Sequence, residues 1–74
     1  GRTIASELLR RVEGAETALF ALGFTDFRVR MMGEMAKIQL PADQMPLLLK
    51  NREKILAELG RNYRGVLLDL EARG

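Results

Sequence analysis

Phe27-Arg28-Val29-Arg30-Met31-Met32-Gly33-Glu34-Met35-Ala36-Lys37-Ile38-Gln39-Leu40 decides the fold of this 74-residue chain. Over 27–31 apolar and cationic residues alternate, the two-residue period of a strand with one wet and one buried face. The alternation resumes over 36–40. Met32-Gly33-Glu34 between the runs suits a turn, so the stretch is expected to form an antiparallel hairpin. Phe27, Val29 and Met31 then share one face with Ala36, Ile38 and Leu40, while Arg28, Arg30, Lys37 and Gln39 share the other. Pro41 has no N–H to give a ladder and ends the second run.

Upstream, Ile4, Leu8, Leu9, Val12, Ala15, Leu19, Phe20 and Leu22 recur at three- and four-residue steps, which predicts an amphipathic helix. Thr3 or Ser6 can cap its start, with Glu7 adding charge in the first turn. Gly14 inside the run costs about 1 kcal/mol relative to alanine. Gly23 suits the left-handed residue that closes a helix, with Phe24 folding back on the last turn. Downstream, Asp43 is placed to cap a second helix and Pro46 falls in its first turn. Leu47, Leu48, Ile55, Leu56 and Leu59 are its expected buried stripe, and Gly60 its stop. After the turn at 60–65, Val66-Leu67-Leu68-Asp69-Leu70 is expected as a third strand, with 71–74 as a fraying end.

The order α-β-β-α-β indicates an α+β domain. The expected packing is a ferredoxin-like half-sandwich: a three-stranded, mainly antiparallel sheet with the first hairpin strand central and two helices on one face. The other face is left without cover. Seventy-four residues make a single small domain, 1–74, with a marginal core. The chain has no Cys and no His, so thiolate chemistry and the commonest general base are excluded. Twelve Lys and Arg against ten Asp and Glu give a net charge of +2, too balanced for a dedicated nucleic-acid clamp. No apolar run approaches the ~20 residues of a membrane span. The chain opens Gly1-Arg2-Thr3 without Met, which leads to the expectation of a cytoplasmic piece of something longer.

The bare face carries the candidate site. Arg28 and Arg30, as alternate residues of one strand, stand about 7 Å apart. Two guanidinium forks at that spacing suit a phosphate or carboxylate, with Lys37 alongside. The plainer reading is a solvated face whose charge prevents aggregation. Glu13, Glu16, Asp69 and Glu71 suit charge balance with these cations better than metal binding. Met31, Met32, Met35 and Met45 suit adaptable packing. The turn over 60–65 lacks the pattern of a phosphate loop. With no aromatic ring facing outward, the sheet is ill suited to stacking RNA bases.

The strings Glu7-Leu8-Leu9-Arg10-Arg11-Val12-Glu13-Gly14-Ala15-Glu16, Leu22-Gly23-Phe24-Thr25-Asp26-Phe27-Arg28-Val29-Arg30 and Ala36-Lys37-Ile38-Gln39-Leu40-Pro41 resemble the C-terminal region of the LarE-type ATP-dependent sacrificial sulfur transferases. So do Asn51-Arg52-Glu53-Lys54-Ile55 and Val66-Leu67-Leu68-Asp69-Leu70-Glu71. The resemblance spans nearly the whole chain, and LGF-x-x-FRVR is its most specific part. It implies a C-terminal accessory and oligomerisation domain of a PP-loop protein in the ATP pyrophosphatase superfamily. The N-terminal PP-loop domain would carry an SGGxDS loop and use ATP and Mg to adenylate a pyridinium mononucleotide. Sulfur would then come from a cysteine or, in other members, through an iron–sulfur cluster, on the route to a nickel-pincer cofactor.

The resemblance further implies a homo-oligomer. It assigns Arg28 and Arg30 to the substrate phosphate, with Glu16 nearby and Asp43 as a further polar residue. Lys37 stands where the family usually has Arg, and Met31-Met32 replace more polar residues. By itself this chain is not expected to be an enzyme, and no cofactor is expected within it. The alternative is a stand-alone protein- or nucleic-acid-interaction module, although nucleic acid fits the balanced charge poorly.

Overall fold

The computed structural model of the chain describes residues 2–73, with side chains from Glu7 onward. Helix α1 runs Arg2–Ala21. The roles expected of Thr3, Ile4 and Ser6 concern side chains outside the described ones. The helix has no acidic residue in its first turn, so Glu7 lies too far along to act there. Its end follows the expected chemistry. Gly23 adopts φ +97°, its N–H donates to the Phe20 carbonyl, and the Phe24 N–H donates to the Leu19 carbonyl at 3.1 Å. These two bonds form a Schellman closure, which requires a residue that tolerates positive φ. The closure turns Phe24 inward to complete burial.

Strand β1 spans Arg28–Met32 and β2 spans Met35–Gln39, paired antiparallel from Arg28 opposite Gln39 to Met32 opposite Met35. The connecting loop is Gly33-Glu34, with Gly33 at φ +63°, the position a type II′ hairpin turn gives to glycine. A 3₁₀ turn over Ala42–Gln44 leads into α2, Met45–Lys50, and α3, Arg52–Leu59. Strand β3, Gly65–Asp69, closes the order.

The sheet order is β1-β2-β3, with β3 parallel to β2. The sheet is therefore mixed rather than mainly antiparallel, and β2, not β1, is central. The burial of the outward-facing residues follows from that order. Met35, Lys37 and Gln39 on β2 are all half-buried, whereas Arg28, Arg30 and Met32 on β1 are all exposed. Two arginines are at ease on an edge, where they stay hydrated and blunt further pairing. The helical crossover brings β3 back beside β2 in the same direction, as a β-α-β unit does.

The single second helix expected from the sequence is broken at Asn51, whose φ is −102° and ψ 21°. Its side-chain amide donates to the Leu47 carbonyl at 2.9 Å, competing with the main-chain ladder. Asp43 caps neither piece. The residues flanking the 3₁₀ turn and α2 are Pro41 and Gln44, and neither forms a side-chain cap. Pro46 does sit in the first turn of α2. Gly60 ends α3 from a right-handed conformation, φ −63°.

The core lies between one sheet face and the helices. Ala15, Leu19, Phe24, Ile38, Leu40, Ile55 and Leu59 are buried there, with Val29, Ala36, Leu48 and Tyr63. Leu56, expected inside, is 42% exposed. The tail does not fray at 71–73. The Arg73 N–H donates to the Leu40 carbonyl at 2.8 Å, and Arg73 Nε donates to the Asp26 carbonyl at 3.1 Å. No helix among the described residues is long and apolar enough to cross a membrane.

Candidate functional site

Pairing register sets the bare face as three rows across the strands. Arg28, Gln39 and Asp69 form the first, Arg30, Lys37 and Leu67 the second, and Met32, Met35 and Gly65 the third. Parity therefore delivers the expected grouping of Arg28, Arg30 and Lys37 on one surface. Both arginines are exposed and Lys37 is half-buried.

The neighbours divide the labour. Arg30 Nε donates to Gln39 Oε1 at 3.3 Å, and Gln39 Nε2 donates to Asp69 Oδ2 at 3.1 Å. Lys37 Nζ lies 3.6 Å from the same Asp69 oxygen. The Gln39 amide, the Glu71 N–H and the Lys37 charge hold the Asp69 carboxyl below the usual carboxylate range. It is ionised at neutral pH, and its contribution to stability fades as pH falls through that lowered value. Lys37 is thus neutralised. Arg28 and Arg30 have no carboxylate within ion-pair distance among the described residues.

Glu16 and Asp43 fare differently. Glu16, half-buried on α1, borders with Val12, Phe27, Arg28 and Arg30 a shallow cleft of about 590 Å³ along the outer edge of β1. It forms an ion pair with neither arginine among the described residues. Asp43 stays exposed in the 3₁₀ turn and makes no hydrogen bond or ion pair to this group. The glutamine beside it serves the fold instead. Gln44 Oε1 accepts the Thr25 N–H at 2.9 Å while its amide donates to Thr25 Oγ1, locking the loop that aims β1.

Chemically, the face offers charge and planar donors but no group to exchange a proton near neutral pH, since guanidinium does not give one up. Among the described residues no three carboxylates converge as metal ligands. Two features escaped the sequence reading. Gln39 relays between Arg30 and Asp69, a role visible only once β3 lies beside β2. Tyr63, placed in a turn by its glycine neighbours, is buried in the core with its hydroxyl unpartnered among the described residues. A single tyrosine amid Arg61, Asn62 and Arg64 was the available signal. No protein-family model matches the chain, and no curated protein matches it closely enough to count as a relative.

Proposed function

We propose that this chain is an anion-binding accessory domain that presents Arg28 and Arg30 to a phosphate of a small substrate. The observation that carries the reading is the pair of exposed guanidinium groups on β1, which meet no carboxylate partner among the described residues while the adjacent Lys37 is already paired with Asp69. The likeness to the C-terminal region of LarE-type sulfur transferases supplies the context. There the catalytic parts, ATP with its Mg and the sulfur donor, belong to a PP-loop domain. This chain would contribute substrate contacts rather than chemistry. Kinship with a ferredoxin-like half-sandwich belongs to the same proposal, with the parallel β2–β3 pair as the departure it must accommodate.

Titration of the chain with a pyridinium mononucleotide, followed by NMR shifts, tests the reading. The double variant Arg28→Ala with Arg30→Ala is expected to lose affinity at least tenfold. Its unfolding free energy should stay within about 0.5 kcal/mol of the parent, since both side chains are exposed. Unchanged affinity removes the assignment. A parallel titration with single-stranded RNA at two salt concentrations separates the interaction-module reading. Tight binding that falls steeply with salt would favour that alternative.

A further inference from the structure

The two edges of the sheet are unlike. β1 ends the sheet on one side with Arg28 and Arg30, whose charges oppose pairing of like edges. β3 ends it on the other with Gly65-Val66-Leu67-Leu68-Asp69, a strand with no lysine, arginine, proline or bulge to discourage a partner. Beside it runs a largely apolar groove of about 280 Å³, bordered by Leu49, Ile55, Leu56, Val66 and Leu67, with Arg52 its one charged lining residue. Leu49 is 66% exposed and Leu67 40%. Leucines clustered beside an unpaired strand edge mark an interaction surface.

Charge names the occupant. The chain enters β3 through Arg61 and Arg64 and leaves it through Asp69 and Glu71, so the strand is basic at one end and acidic at the other. A second copy laid antiparallel brings opposite ends together twice, whereas a parallel copy would set like charges side by side. A two-fold through Leu67 also preserves parity: Leu67 meets its own copy on the bare face, and Val66 meets Leu68 on the helical face. Arg64 then lies one residue from Glu71 of the other copy. Its existing pair with Glu34, 3.3 Å and largely exposed, contributes little and is easily exchanged.

We propose that β3 and the adjoining leucine groove form the interface of a two-fold homodimer, in which two copies of β3 pair antiparallel and join the sheets into one of six strands. A short strand pair with a narrow apolar flank falls at the small end of protein interfaces, so the association is concentration-dependent. The proposal does not rest on anion binding, because Arg28 and Arg30 occupy the opposite edge.

Sedimentation equilibrium from micromolar to millimolar protein is the test. The mass should rise from 8.3 kDa toward twice that value and stop there. Leu67→Lys places like charges at the two-fold and should weaken association at least tenfold with an unchanged circular dichroism spectrum. Arg64→Glu and Glu71→Arg should each weaken it several-fold, and the two together should restore it. The Arg28→Ala, Arg30→Ala variant should dimerise as the parent does, even where it no longer binds the mononucleotide. A mass fixed at 8.3 kDa throughout overturns the proposal. So does a mass that climbs past the dimer, the sign of head-to-tail β1–β3 pairing, or a charge swap that restores nothing.

Discussion

Tyr63 is where a single residue departs most from easy expectation. The residue is only 5% exposed while its hydroxyl finds no partner among the described residues. Burial pushes its pKa up, and the nearby Arg11 charge only partly offsets that. A tyrosine whose folded pKa exceeds its unfolded value contributes stability fully below pH about 10, and loses it as pH rises through the folded value. Tyr63→Phe removes the orphaned hydroxyl and keeps the ring. Unpaired buried polar groups cost about 1–3 kcal/mol, so the variant should melt at the same temperature as the parent or a few degrees higher. Its stability should also decline less above pH about 10. Thermal unfolding across that range measures both effects, and a drop of several degrees at neutral pH would show that the hydroxyl is bonded after all.

At the scale of elements, two glycines of one helix segment should respond in opposite directions to the same substitution. Gly23 needs its φ of +97° to close α1, and alanine there is strained whatever the space around it. Gly23→Ala should cost about 1–2 kcal/mol. Gly14 sits exposed within the helix, with open space where a Cβ would stand. Gly14→Ala should gain about 1 kcal/mol from helix propensity alone. Urea denaturation of both variants checks the pair. The same local logic made the Gly33-Glu34 hairpin and the Pro46 entry to α2 legible from residue types. The break at Asn51 was not, because the helical period continues across it and the departure shows only in the Asn51 backbone, φ −102° and ψ 21°, with its side chain also bonded to the Leu47 carbonyl.

For the molecule as a whole, β2 bears the weight. Ile38 lies on the central strand with no exposed area, in the same buried cluster as Leu19, Phe24 and Ile55. Isoleucine to alanine at such a site costs about 2–5 kcal/mol. A domain of this length holds only about 4–11 kcal/mol in total. Ile38→Ala should therefore lower the melting temperature by at least about 10 °C. Leu67→Ala, on the bare face of an edge strand, should change the monomer's stability by no more than about 0.5 kcal/mol. Calorimetry of the two variants at low concentration separates a core position from a surface one of the same chemical class. Equal losses would mean that the bare face is covered within the monomer.

The alternation over 27–40 determined the hairpin, its two faces and the grouping of Arg28, Arg30 and Lys37, because side-chain parity follows from backbone geometry with no need of a partner. Helix closure at Gly23 was equally local. Strand order was not. Whether β3 lies beside β1 or β2 depends on how the helical crossover returns across the core, a non-local choice that leaves no period in the residues. From that choice follow the pairing of Lys37 with Asp69, the Gln39 relay and the absence, among the described residues, of a carboxylate partner for either arginine. Residue types thus set which side chains share a surface, and packing across the sheet decided which of the cations on it meets a carboxylate among the described residues.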